Sequence, residues 1–175
     1  MVDALADRAD EAANGRASLG RVDLVSMTEA FAADIVQWRY PPPYDCYDMT
    51  SADPAFLVSP ESGFFALTRA GQLIGFRSFG EDGQVPGGTY DSSALDTGGG
   101  LRPELTGQGL GREAISAGLE FGRRKFAPCA FRVTVASFNI RAQRVVESLG
   151  FRKFAQFNAT TDGRSYEILV RPEHQ

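Results

Sequence analysis

Cysteine and histidine are nearly missing from this chain: two cysteines, Cys46 and Cys129, and one histidine, His174, in 175 residues. The cysteines lie far apart in no metal-ligand spacing, which argues against a disulfide scaffold or a zinc site and for incidental thiols in a reducing compartment. No metal is expected. His174 stands one residue from the C-terminus, a poor place for a general base. Long apolar runs are also missing, so neither a membrane span nor a signal peptide is expected, and the chain reads as cytoplasmic without a membrane partner. A basic surplus is missing too. With 18 Lys and Arg against 22 Asp and Glu, the balance argues against nucleic acid as the main partner and for a small neutral or cationic one. The length fits one domain with a single core.

Glycine is plentiful where it matters. In Gly98–Phe121, Gly107, Gly109 and Gly111 alternate, so successive backbone N–H groups can turn toward one point without Cβ obstruction. The residues that follow, with Leu110, Ala114, Ile115, Gly118, Leu119 and Phe121, have helical spacing. The loop therefore opens a helix, whose positive end favours an anion such as a diphosphate. The competing reading is a tight strand-to-helix turn without a ligand.

The rest of the chain falls into order around that loop. Residues 1–20, rich in Ala, Asp and Arg, read as an N-terminal extension, frayed or disordered, and 21–171 as the domain. Arg21–Met27 predicts a first strand. Thr28 predicts the cap of a helix showing Phe31, Ile35 and Trp38 and ended by Pro41. Residues 38–48 pack aromatics and three prolines into a stiff loop. A short helix follows near 53–58, then a hairpin of 63–68 and 72–79 joined by the turn Arg69-Ala-Gly-Gln, and a Gly- and Pro-rich loop over 81–89. Tyr90–Leu101 predicts the strand that feeds the glycine loop. Cys129–Ala136 predicts the strand after the helix, parallel to it because a helical crossover joins them. Asn139 predicts the cap of a helix with Ala142, Val145, Val146 and Leu149 on one face, closed by Gly150. A last hairpin joins 151–158 to 165–170.

Thr106-Gly-Gln-Gly-Leu-Gly with its flanks, and Asn139-Ile-Arg-Ala followed by Ser148-Leu-Gly-Phe, together with this element order, resemble the GCN5-related N-acetyltransferase superfamily. The motif resemblance covers roughly residues 90–157; Thr106 departs from the Gln or Arg usual there. It implies an α/β (α+β) single domain: a mixed sheet with antiparallel N-terminal strands and a parallel central pair that splays to bind coenzyme A. It implies acetyl-CoA as co-substrate, and acetyl transfer to a primary amine on a small molecule, a peptide N-terminus or a lysine. Backbone groups of Gly99, Gly100 and Leu101 would pair with the pantetheine arm. Those of Gly107, Gln108, Gly109, Leu110, Gly111 and Arg112 would hold the diphosphate, and Asn139 would face the acetyl end. Asn139 is also a plain helix cap. Arg112, Arg141 and Arg144 are candidates for the 3′-phosphate, whereas Arg123–Lys125 read as a solvated face.

The resemblance leaves the chemistry open. Many relatives carry a tyrosine seven residues after the asparagine and some a glutamate five before it; here these positions are Val146 and Thr134. Asp96 on the feeding strand is the candidate base, and Tyr44 a second catalytic candidate. Trp38, Tyr40, Tyr44, Asp45 and Tyr47 form the expected acceptor pocket. The alternative is a non-catalytic acyl-CoA sensor or interaction module; a homodimer is left open.

Overall fold

The computed structural model describes residues 20–173; the expected extension before Gly20, and His174, lie outside them. Seven strands form one sheet: β1 (Val22–Ser26), β2 (Phe64–Arg69), β3 (Gln72–Phe79), β4 (Leu95–Leu101), β5 (Ala130–Ala136), β6 (Arg152–Asn158) and β7 (Ser165–Pro172), in the order β1-β2-β3-β4-β5-β7-β6. Helices α1 (Glu29–Ile35), α2 (Pro54–Val58), α3 (Gly111–Phe126) and α4 (Ile140–Ser148) complete the element order that the sequence predicts. Neighbouring strands are antiparallel except β4 and β5, which run parallel.

Local chemistry sets the boundaries. The Thr28 side chain accepts a hydrogen bond from the Phe31 amide and opens α1, while Asp53 does the same for α2 through Ala55. Pro41 does not end α1. The helix stops at Ile35, where Gln37 and Trp38 turn back their amides onto Asp34 and Ile35. The feeding strand is shorter than Tyr90–Leu101, because Asp91 accepts from the amide and the hydroxyl of Ser93 and holds residues 91–93 in a turn.

The sheet buries both faces. One packs on α1 and α2 through Met27, Ile35, Trp38, Leu57, Leu73 and Phe76. The other packs on α3 and α4 through Leu119, Phe131, Val133, Val146, Phe151 and Leu169. Each such large side chain contributes roughly 1.5–3 kcal/mol of hydrophobic stabilisation. Gly118 and Gly122 sit one turn apart on α3, and a Cβ at either would lie 2.9 Å from a buried side chain. Their bareness lets α3 settle closely on β3 to β5. That closeness aims the N-terminus of α3 at the end of β4.

Candidate active site

β4 stays paired with β3 as far as Leu101, but with β5 only at Leu95↔Phe131 and Asp96↔Arg132. Beyond that the strands diverge as a V. The β4 arm of the V is Gly98-Gly99-Gly100-Leu101, which offers backbone but almost no side chain; Gly99 is exposed with φ +149°. Backbone groups of this arm that face β5 have no strand partner, which is what an extended amide chain needs to add itself to a sheet.

The cradle follows on. Gly107 and Gly109 have φ of +73° and +81°, a left-handed conformation that side chains resist. Gly107, Gln108 and Gly109 are exposed, and a Cβ on Gly109 would meet nothing within 4 Å. α3 begins after Leu110 without any side-chain cap. Its first N–H groups are thus left for an external acceptor at the positive end of a 16-residue helix. The side chains around the cradle look away from it. The Thr106 hydroxyl donates to the Pro103 carbonyl (2.7 Å), the Gln108 amide to Glu104 (2.7 Å), and the Arg112 guanidinium to the Ser148 Oγ (2.6 Å). Arg141 is the cation at the rim: its Nη1 would lie 3.2 Å from a Cβ on Gly107, and its guanidinium stacks 4.6 Å from the centre of the Tyr44 ring.

The loop after α1 covers the opposite face of the V. Tyr40 donates its hydroxyl to the Leu101 carbonyl (2.7 Å) and its amide to Asp48 (2.9 Å). Burial pushes the Tyr40 phenol far above its usual range, with Asp48 and Glu104 adding to it, so it stays neutral. Tyr44 and Tyr47 both pack on Phe138, at 5.6 and 6.2 Å between ring centres. Asn139 caps α4 by accepting from the Ala142 amide (3.1 Å), and its Nδ2 donates to the Tyr47 hydroxyl (3.1 Å). Asp45 lies exposed in the 3₁₀ turn Tyr44–Tyr47. Trp38 belongs to the core and does not line an acceptor pocket: it is 6% exposed, lies 6.2 Å from Phe76, and its indole donates to Asp34.

Asp96, the expected base, is buried and fully engaged. Arg132 donates to Oδ1 at 2.6 Å and to Oδ2 at 2.9 Å, and Gln84 donates to Oδ2 at 2.8 Å. A buried carboxylate that accepts three hydrogen bonds, two of them from a guanidinium, is stabilised as the anion and is a weak base for an amine proton. Hydrogen bonds donated to Asp96, followed by those donated to Asp91, hold the Arg132 guanidinium well above its usual range against the cost of burial. Val146 is 2% exposed inside the α3–α4 core. Thr134 is met by Tyr90, whose hydroxyl lies 3.0 Å from the threonine Oγ1 and 3.0 Å from the Val85 amide. The residues that sequence reasoning missed are Arg132, Gln84, Tyr90 and Arg77. Alternation along β5 was the available signal, since Arg132 and Thr134 share the face opposite Phe131 and Val133.

A parallel pair that parts into a V, followed by a glycine cradle on a helix N-terminus, defines a site for an acyl carrier with an amide-rich arm and phosphates. The profile described as the Acetyltransferase (GNAT) domain matches residues 18–152, so the chain belongs to the GNAT acetyltransferase family. No curated protein matches it. Among solved structures, it resembles a spermidine N-acetyltransferase SpeG chimera from Vibrio cholerae and hSSAT at 15% identity and TM-score 0.67, covering 87% of this chain and 96% of that one. It resembles AAC(6')-Ib in complex with ribostamycin and coenzyme A at 17% identity and TM-score 0.65, covering 87% and 94%. The Campylobacter jejuni N-acetyltransferase PseH in complex with acetyl coenzyme A gives 13% and 0.62, covering 87% and 99%.

Proposed function

We propose that this chain is an acetyl-CoA-dependent N-acetyltransferase that passes the acetyl group directly to the primary amine of a small molecule or peptide. The observation that carries the reading is the alignment of the Gly98–Leu101 arm, unpaired on its β5 side, with the uncapped N-terminus of α3 across exposed glycines. The residues fit the group. Gly99 and Leu101 would pair with its pantetheine amides, the N–H groups from Gly107 to Arg112 would hold its diphosphate, and Arg141 would supply the charge that Thr106 does not. When bound, acetyl-CoA supplies an activated thioester carbonyl.

The chain's own contribution is then positioning and proton handling. The two strand arms would hold the thioester between them and the loop over 40–48 would orient the incoming amine, which is worth several kcal/mol without any further group. Tyr44 is drawn to the cradle rim by Arg141, where its ring would shield bound phosphates, and we assign it no proton-transfer role. Asp96 is assigned a structural role. No cysteine lies on the cradle or on either arm of the V, and Cys46 lies in the 3₁₀ turn with its thiol pushed up chiefly by burial, against the needs of a covalent acyl carrier. One similar structure is a spermidine N-acetyltransferase and another holds ribostamycin beside coenzyme A, which supports a small polar amine. The chain is read as acting in the cytoplasm.

Titration calorimetry with acetyl-CoA is expected to give saturable heat in the micromolar range. Thiol release is expected with at least one of spermidine, ribostamycin and a short peptide with a free N-terminus. No heat at millimolar acetyl-CoA overturns the proposal. A second reading, an acyl-CoA sensor, is favoured by Val146 and by the engaged Asp96; binding without thiol release for any amine would establish it instead.

A further inference from the structure

We propose that Tyr47 is the catalytic acid of this enzyme, protonating the sulfur of coenzyme A as the acyl group leaves. The proposal rests on the acetyltransferase reading and adds to it a residue that the chain contributes from the loop after α1, in place of the α4 position filled by Val146.

Three tyrosines reach the V, and their hydrogen bonds separate them. Tyr40 gives its proton to the Leu101 carbonyl at 2.7 Å and is used up in holding the β4 arm. Tyr44 is stacked under Arg141 at the cradle rim. Tyr47 is an acceptor, receiving Nδ2 of Asn139 at 3.1 Å, and no acceptor for its own hydrogen is found among the described residues. Its oxygen is thus located by the fixed Asn139 donor together with the Ala136 backbone, and its proton is uncommitted. Asn139 is itself locked, because its Oδ1 is taken by the Ala142 amide. That bond fixes which end of the side-chain amide faces Tyr47.

The loop reaches both arms of the V, Tyr40 on the end of β4 and Tyr47 on the cap of the helix that follows β5. A group leaving from between the arms leaves beneath this loop. Tyr47 is half-buried beside Ala136, Phe138 and Tyr166. Burial raises its phenol, only partly offset by hydrogen bonds from Asn139 and the Ala136 backbone, so the proton is in place throughout the neutral range. A neutral phenol suits the acid step, not the base step.

The step balances as follows. The amine nitrogen forms its bond to the acyl carbon and the carbon–sulfur bond breaks. Its electron pair stays on sulfur and takes the Tyr47 proton, giving the free thiol. The proton that the amine sheds passes through water to the Tyr47 phenolate and restores the phenol, so no other reactant is consumed.

The test compares the full chain with Tyr47→Phe, which keeps the ring on Phe138, using acetyl-CoA with spermidine, ribostamycin and a free peptide N-terminus. A kcat at least about 100-fold lower, with KM for acetyl-CoA within about threefold, is expected. Site-specific replacement of Tyr47 by 3,5-difluorotyrosine is expected to keep the activity and move the alkaline fall of kcat toward neutral pH, which a packing residue would not do. A Tyr47→Phe kcat within about threefold of the parent, or an unmoved alkaline limb, overturns the assignment and leaves the acetyltransferase reading intact. A parent chain that binds acetyl-CoA but releases no thiol with any amine overturns both, and shows that the broader reading is what failed.

Discussion

Replacing Arg77 by methionine should make this protein more stable. Arg77 lies on β3, 5% exposed, between the β4 arm and α3. Its guanidinium donates to the Thr97 hydroxyl at 2.9 Å, its Nε has no partner, and no carboxylate pairs with it among the described residues. Burial alone pushes its pKa down to about 10, more than two pH units below the usual guanidinium value. At about 1.4 kcal/mol per pKa unit, the folded state is charged roughly 3 kcal/mol for keeping the cation dry. Both states are protonated at neutral pH, so the cost is felt there in full and would fade only as pH rises past about 10. Methionine fills the same channel beside Gly118 without a charge. It forfeits one hydrogen bond, about 1 kcal/mol, which leaves a net gain of about 2 kcal/mol. For a chain of this size that is about 5 °C in Tm by scanning calorimetry. A Tm lowered by more than about 2 °C would refute the reasoning, and would mean that Arg77 meets a negative charge in the folded protein.

Three other outcomes follow from the site. Asp96→Asn strips the doubly bonded partner from buried Arg132 and should cost about 2–4 kcal/mol in urea unfolding, since Asp91 alone remains to compensate; the acetyl-CoA affinity of the folded protein should stay within about twofold by calorimetry. Arg141→Ala should weaken acetyl-CoA binding about five- to tenfold at low salt, and by less as salt rises, because the charge stands exposed at the rim of the cradle. Asp91 is held down to about 2, first by the Ser93 hydroxyl and then by Arg132. Its carboxylate therefore supports the fold above the usual aspartate range, and that support is lost as pH falls from about 4 toward 2. Asp91→Asn should lower stability slightly at neutral pH and, because that support is then missing at every pH, flatten the acid-unfolding curve in that window.

What could be read without coordinates was local. The glycine cradle and the Asn139 cap each concern groups within a few residues, and backbone conformation and helix dipole act at that range. The hairpin at Ala70 and Gly71 was equally legible, both residues taking positive φ, +49° and +75°. What could not be read depends on which side chains meet across the sheet. Asp96 on its own is a carboxylate on a strand feeding a cleft; only the register that places it beside Arg132, 36 residues on, turns it into half of an ion pair. Trp38 sat on the right stripe for the wrong reason, since the chain leaves the helix at Ile35 and the indole is buried all the same. Tyr47 and Asn139 are 92 residues apart, and nothing in either neighbourhood announces the bond. Thr106 fell outside the usual pattern, and the placing of the Arg141 guanidinium beside Gly107 depends on how α4 packs at the cradle.

The joint between β4 and β5 has a mechanical meaning. The sheet on either side of it is continuous, four strands on one hand and three on the other, yet only two residue pairs bridge the halves. The second of those pairs is Asp96↔Arg132, a buried clasp at the point where the arms part. A wedge opening from a clasped apex has a fixed gape near the clasp and compliance only at its far end. Acyl groups of different bulk would therefore be told apart at the apex, by a rigid width, whereas acceptors of different shape would be met at the rim, where the loop over 40–48 and the turn at 159–164 can yield. Amide exchange should be slow at Gly98 and Gly100, which face β3, and fast at Gly99, which faces the open side of the V.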